Sequence, residues 1–387
     1  MAYLDANATE PLRPAARAAA LAALDLAGNP SSVHAAGRAA RQVLEDAREA
    51  IADRFGAAPA DVVFTSGGTE ATALAVHALG AGRRILSGAT EHDAVRSAAP
   101  DAQIIPVDGG GVVDLAALAA LLDGPPALVC LMHANNETGV LHPIDQVAAL
   151  CRAAGALLHV DAVQSAGRMA LGFLADSLAL SSHKMGGPKG AGALLLAPGQ
   201  AVAPLIAGGG QERGRRGGTP ALPAIAGFAV AVQAVPSDLA ALRDLAEAAA
   251  VSAGAVVLGA ARRLGNTTCL ALPGVRAETQ VIALDLAGVQ VSAGAACSSG
   301  KVARSHVLTA MGAGALAGEA IRVSLPWNAT AADVDAFAAA YAAMAARLTV
   351  SREKGHVPQP VPRWQGGTGS AFEQRATATG PIYVASA

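Results

Sequence analysis

Only four lysines occur in 387 residues: Lys184, Lys189, Lys301 and Lys354. Any chemistry that needs a primary amine must choose among them. Lys184 is distinguished by its place. The apolar run Leu178-Ala179-Leu180 reads as a strand, and the Gly-rich stretch Ser181-Ser182-His183-Lys184-Met185-Gly186-Gly187-Pro188-Lys189-Gly190 follows it. In α/β sheets ligands sit at the carboxyl ends of strands. Partial desolvation there makes an amine nucleophilic toward an aldehyde. Read alone, a solvated loop lysine is the more ordinary use.

Asp161 ends a second apolar run, Leu157–Val160, and continues as Ala162-Val163-Gln164. A carboxylate at that point can keep a pyridine nitrogen protonated, so that the ring works as an electron sink. It can equally cap a helix. Thr65-Ser66-Gly67-Gly68-Thr69-Glu70 follows the run Val62–Phe64 and opens a helix. Two glycines, a helix N-terminus and neighbouring hydroxyls suit a phosphate. The stretch is neither a Walker motif nor GxGxxG, and a plain capped turn uses the same residues. His92 comes after the strand at 84–87, where an imidazole could stack on a flat ring and exchange protons. His92 and His183 also fit as ordinary satisfied histidines.

Four cysteines are present. Cys130 and Cys269 lie in apolar strand-like runs and Cys151 in a helix, so all three read as packing residues. Cys297 differs. Small residues surround it in Val291-Ser292-Ala293-Gly294-Ala295-Ala296-Cys297-Ser298-Ser299-Gly300-Lys301, and Lys301 is near enough in sequence to favour a thiolate. Arg322, within Ile321–Leu325, could clamp a carboxylate through two parallel hydrogen bonds or serve a structural ion pair.

These residues need elements to place them. Helices are predicted over 14–26, 35–55, 70–79, 114–122 and 145–154. Buried strands are predicted at 62–64, 85–86, 104–105, 127–131, 157–160 and 178–180. Continuous apolar strands alternating with helices predict an α/β domain with a mostly parallel sheet covered on both faces. From about residue 235 the pattern changes to helices at 238–250, 278–286, 303–311 and 330–347, with strands at 255–258, 268–272 and 320–325. A smaller α+β domain is expected there. The division is then 1–15 as an N-terminal arm packing with the small domain, 16–235 as the large domain and 236–350 as the small one. Residues 351–387 are expected to form a polar, flexible tail.

Apolar residues make up 52% and charged residues 15%, enough for an extensive core. A net charge of −2 with no basic stretch speaks against nucleic acid. The absence of CxxC pairing speaks against a zinc site or a disulfide framework and favours a reducing compartment. No signal peptide or membrane span is expected, so the expected location is cytoplasmic.

Together these stretches closely resemble the cysteine desulfurases of the class V aminotransferase family, within the fold-type I enzymes that use pyridoxal 5′-phosphate (PLP). The resemblance runs from Tyr3-Leu4-Asp5 to Arg322–Leu325. It includes Gly28-Asn29-Pro30-Ser31-Ser32-Val33-His34, Phe64–Glu70, Glu91-His92, Asn135–Gly139, His159–Gln164, Ser181–Gly190, Gly208–Thr219 and Ser292–Ser299. It implies a PLP-binding large domain and roles for particular residues. Lys184 would join the cofactor aldehyde and later move the Cα proton. Asp161 would hold the pyridine nitrogen, Gln164 and Asn136 would lie near the ring hydroxyl, and His92 would stack on the ring. Gly68, Thr69, Ser181 and His183 would hold the phosphate, with Thr219 reaching it from a neighbouring subunit of a homodimer. Asn29 and Arg322 would face the carboxylate of L-cysteine. Cys297 would accept sulfur as a persulfide and pass it to an acceptor protein such as an iron–sulfur scaffold or a thiolation partner. No resident metal is implied, although Cys297 would be placed to touch a transferred iron–sulfur cluster. Selenocysteine lyase and aminotransferase are the neighbouring alternatives. The sequence departs from the family pattern at Thr72, where asparagine is frequent, at Ala295-Ala296-Cys297 in place of Ser-Ala-Cys, and after Thr349.

Overall fold

The computed structural model describes residues 1–173, 175–294 and 304–353, with the side chains of 349–353 left aside. Cys297, Lys301 and nearly all of the expected tail lie outside the described residues. Met1–Arg347 form one compact unit, and from Leu348 onward only a helix end is described.

The chain opens with a two-residue strand, β1 (Ala2–Tyr3), and two helices, α1 (Pro14–Leu24) and α2 (Ala35–Phe55). The large sheet then contains β2 (Val62–Thr65), β3 (Arg84–Gly88), β4 (Gln103–Ile105), β5 (Ala127–Met132), β6 (Leu157–Asp161), β7 (Ser177–Ser181) and β8 (Gly192–Leu196). Their order is β2-β8-β7-β6-β5-β3-β4. Neighbours from β7 to β4 pair in parallel, and β8 is antiparallel to both β7 and β2. Six of the seven strands therefore run in one direction, and their carboxyl ends share one edge.

Both sheet faces are buried, which is why these strands read as unbroken apolar runs. Phe64, Leu131, Val160 and Leu180 pack with Leu44 and Ile51 of α2 on one side. On the other, Val63, Ala179 and Leu194 meet Leu74 and Ala75 of α3 (Gly68–Leu79). Leu128 and Cys130 meet Val95 of α4 (Asp93–Ala98) on that same side. The helices α5 (Leu115–Leu122) and α6 (Ile144–Ala154) follow as expected. The helix α7 (Leu222–Val232) packs against α1 and α2 and was not expected.

Next come α8 (Ala240–Ser252), β9 (Val256–Leu258), β10 (Thr267–Ala271), α9 (Ala277–Leu286), β11 (Val289–Gln290) and β12 (Ser292–Ala293). They are followed by α10 (His306–Ala310), β13 (Ala320–Ser324) and α11 (Ala331–Glu353). An antiparallel sheet runs β12-β13-β10-β9. The chain's beginning is tied to this part: β1 pairs in parallel with β11, and the Ser324 N–H donates to Leu4 O at 2.9 Å. That pairing carries Asn7, Ala8 and Thr9 to the carboxyl edge of the large sheet.

Candidate active site

A cavity of about 630 Å³ opens at that edge. Five strand ends and the N-terminal arm supply its walls. From β2 comes the start of α3. Its N-cap, Gly67, offers no side-chain acceptor, so the first-turn N–H groups are left for a ligand at the cavity wall. Gly68 is needed because a Cβ there would lie 2.6 Å from Val163 Cγ2 and 3.5 Å from Ser181 Cβ. The Ser66 N–H donates to Glu70 Oε2 at 2.8 Å, and Arg216 Nε donates to Glu70 Oε1 at 2.8 Å. Burial alone would raise the Glu70 carboxyl, but the hydrogen bonds from Arg216 and Ser66 hold it below its ordinary value.

From β6 comes Asp161, 9% exposed. Its Oδ1 accepts from the Val163 N–H at 2.9 Å. Burial raises this carboxyl, while the Val163 N–H, His92 and Lys184 pull it back. A carboxylate so placed gains most from a bound N–H cation. From β7 come Ser181, His183 and Lys184. Lys184 Nζ donates to Asn7 O at 2.5 Å and to Ala8 O at 3.0 Å. His183 Nδ1 is 3.2 Å from Thr9 Oγ1. Burial, then Lys184, Lys189 and Arg168, push this imidazole down to about 4, which makes it neutral at physiological pH. His92, at the head of α4, accepts from the Ala94 N–H through Nδ1 at 3.1 Å.

Asn136 and Gln164 complete the wall. The Gln164 amide is engaged on both sides, donating to Asn7 O at 3.0 Å and accepting from Arg168 Nη1 at 2.6 Å. Arg322 also lines the cavity, yet it makes the structural ion pair left open by the sequence. Its Nη2 meets Asp5 Oδ1 at 2.7 Å and its Nη1 meets Asn136 O at 3.1 Å. Its Nε is buried with no partner among the described residues.

Ten of the expected site residues thus surround one cavity. Asn29 and Thr219 are exposed and do not line it; Asn29 instead accepts from the Ser31 N–H at 2.9 Å. Cys297 lies outside the described residues. The sequence reading missed Asn7. Its carbonyl receives Lys184 and Gln164, and its amide donates to Asn136 O and Thr267 Oγ1, each at 3.0 Å. Nothing local in Asp5-Ala6-Asn7-Ala8-Thr9 signals this, because the partners come from four distant segments. Among the described residues no helix is long and apolar enough to cross a membrane, and no cluster of three or more His, Cys, Asp or Glu could hold a metal.

An uncapped helix start over glycine, a buried carboxylate and a lysine amine fit the three parts of PLP: phosphate, ring nitrogen and aldehyde. The described thiols do not compete for such chemistry. Cys130, Cys151 and Cys269 are buried, and burial pushes all three up, Cys151 to about 12. Iodoacetamide at about pH 8 should therefore leave these three unmodified in the folded protein and label them once it is denatured. Alkylated Cys130 or Cys269 recovered from native protein would contradict that reading.

The model for the aminotransferase class-V family matches residues 2–337, which include every wall of the cavity. The chain belongs to this family. The class-V chain is 43% identical to a cysteine desulfurase of Cereibacter sphaeroides, over 86% of its own length and 92% of the relative's. It is 38% identical to an IscS-like cysteine desulfurase of Mycobacterium tuberculosis, over 87% and 94%. Among solved structures, a NifS-like protein of Rickettsia africae superposes with a TM-score of 0.80 at 33% identity, covering 89% of the class-V chain and 99% of that one.

Proposed function

We propose that the protein is a PLP-dependent cysteine desulfurase. It removes sulfur from L-cysteine, releases L-alanine and leaves the sulfur as a persulfide on Cys297. The observation that carries the reading is the convergence of Lys184 and Asp161, from adjacent strand ends, on one cavity of a class-V chain.

When bound, PLP withdraws electrons from the substrate's Cα. Lys184 would hold the cofactor through its aldehyde, and its amine would move the substrate's Cα proton. Asp161 would keep the ring nitrogen protonated. The start of α3, with Gly68, Thr69, Ser181 and neutral His183, would receive the phosphate, and His92 would serve as the ring's stacking partner. Asn136 and Gln164 would serve the ring's hydroxyl side. The Cys297 thiol takes the sulfur: cysteine and one thiol become alanine and one persulfide, so atoms balance without an external oxidant.

Arg322, which lines the cavity, binds the substrate carboxylate, and this requires the guanidinium to share itself with Asp5. Arg322→Lys keeps the charge but loses the fork. It should raise KM for cysteine by roughly tenfold, since a charge-assisted hydrogen bond contributes about 1.5–3 kcal/mol. Cofactor absorbance should stay unchanged. A lowered melting temperature with an unaltered KM would make Arg322 a structural link to Asp5 and nothing more.

The assembly is a homodimer in which Thr219 serves the partner's cavity. The exposed position of Thr219, outside the cavity of its own chain and near exposed Leu205 and Ile206, supports this. The chain divides into an arm at 1–15, a large domain at 16–235 and a small one at 236–350; the seven-stranded sheet before residue 235 and the four-stranded sheet after it support this, and α11 runs three residues beyond that last limit. The persulfide passes to an acceptor protein, an iron–sulfur scaffold or a thiolation partner, in the reducing cytoplasm.

The test incubates the holoenzyme with cysteine, measures alanine, and maps persulfide by mass spectrometry. One alanine per persulfide on Cys297 is expected in the first turnover. A keto acid product would instead indicate an aminotransferase. Alanine without any persulfide on Cys297 would indicate a lyase.

A further inference from the structure

Gln164 lines the cavity just after Asp161 and is 6% exposed. The two ends of its amide have the same shape, so only their partners decide which end faces which way. Arg168 Nη1 donates to Oε1 at 2.6 Å, and Nε2 donates to Asn7 O at 3.0 Å. A guanidinium only donates and a carbonyl only accepts. Reversing the amide would set N–H against N–H at one end and oxygen against oxygen at the other. Arg168 is itself gripped. Its Nη1 also donates to Gln164 O at 2.7 Å, and its Nη2 donates to Ala6 O at 3.3 Å and to Glu10 Oε1 at 3.2 Å. Glu10 in turn accepts from the Trp327 N–H at 3.1 Å. The Arg168 side chain is 9% exposed, and its Nε has no hydrogen-bond partner among the described residues. A buried ion pair with a donor left over is a weak stabiliser, so the charge at this position calls for another account.

We propose that Arg168 is a positioning residue for the cofactor, fixing the Gln164 amide so that it meets the ring's hydroxyl oxygen as a hydrogen-bond donor. The inference rests on the proposed placing of that hydroxyl beside Gln164. An amide nitrogen carries two N–H groups, and among the described residues this one uses a single N–H, on Asn7 O. The second is left for an acceptor in the cavity. Because Oε1 is committed to a cation, the amide is polarised and its N–H becomes a stronger donor. A donor at the ring oxygen favours the oxygen's ionised form. Asn7 O also receives Lys184 Nζ, so one carbonyl holds the amine and the amide in register. A residue without a donor at 168 would leave Oε1 buried and unmet, and the amide would lose one of the two partners that orient it.

The test reconstitutes the full chain with PLP or with its 3-deoxy analogue, in which hydrogen replaces the ring hydroxyl, and measures both dissociation constants by absorbance. Their ratio cancels any damage that weakens both compounds alike. Arg168→Met should lower the preference for PLP by roughly three- to tenfold, the effect of about one hydrogen bond. Arg168→Lys, which returns a charged donor, should recover most of it. Should Arg168→Met fail to fold beside an unpaired Glu10, Arg168→Met combined with Glu10→Gln removes both buried charges and should show the same drop. Gln164→Ala should lower the preference at least as far, and adding Arg168→Met to it should change nothing more. An undiminished preference for PLP in the Arg168→Met proteins, or an equal loss of both compounds, would reduce Arg168 to a structural tie and overturn the proposal. If Gln164→Ala keeps the wild-type preference, the placing of the ring hydroxyl is wrong and the proposal falls with it. If wild type binds neither compound, the PLP reading itself falls, and that outcome is seen before any variant is compared.

Discussion

Lys184→Ala should lower cysteine turnover by roughly a thousandfold or more while leaving a folded protein. Two roles vanish with one amine, the covalent hold on the cofactor and the proton transfer at Cα, and the second alone is typically worth about 10²–10⁴. Among the described residues, replacement is close at hand from Lys189 alone, which lines the same cavity. Lys189, however, follows Pro188 on an exposed turn, whereas Lys184 leaves β7 directly and is fixed by the carbonyls of Asn7 and Ala8. Losing those two hydrogen bonds should cost about 1–3 kcal/mol, a shift of a few degrees in melting temperature. Borohydride reduction of wild type should place the cofactor on Lys184, and the variant should release it on denaturation. A variant retaining a tenth of wild-type turnover, or reduction trapped at Lys189, would refute the assignment.

Much of this arrangement was legible because α/β sheets announce themselves. Apolar runs such as Leu128–Leu131 and Leu158–Val160 are buried on both faces, so nothing polar interrupts them, and their ends mark the edge where ligands bind. That rule puts Lys184, Asp161 and the glycines at 67–68 at strand ends, but it leaves their chemical roles open to ordinary loop and capping uses. The failures have the same origin. Gly192–Leu196 is a fully buried strand, but its run follows the Gly-rich loop without a break, and only its antiparallel partners β7 and β2 define it. The helix α7 is apolar nearly all round because it lies under α1 and α2, so it carries no amphipathic period to read. Strands of two residues, such as β1 and β11, exist only through each other.

The site shows the same division. A residue that acts through its own chemistry could be found from type and position. A residue that acts through partners could not. Asn7 is a hub for Lys184, Gln164, Asn136 and Thr267, and in the sequence it is an unremarked polar residue. Arg322 lies between these cases. Its side chain suggested a carboxylate clamp, and the structure adds Asp5, 317 positions away, as a standing competitor for that clamp.

Cys297→Ala should abolish persulfide formation and cut sulfur release to about a hundredth or less, with the cofactor spectrum and its response to cysteine intact. The expectation follows from what the remaining thiols cannot do. A sulfur acceptor must be a thiolate that can approach the substrate sulfur. Cys130 is sealed in β5, Cys269 in β10 and Cys151 in α6, and burial holds each as a neutral thiol across the working range of pH. None lines the cavity. Added small thiols should restore little, because a diffusing acceptor lacks the effective concentration of one tethered within about 10 Å of Gly294. Lys184→Ala and Cys297→Ala should therefore fail differently. The first loses the cysteine-induced spectral change, and the second keeps that change but stops before sulfur leaves. If Cys297→Ala releases sulfide at the wild-type rate, or if persulfide appears on Cys130, Cys151 or Cys269, the thiol half of the mechanism is wrong even if the amine half stands.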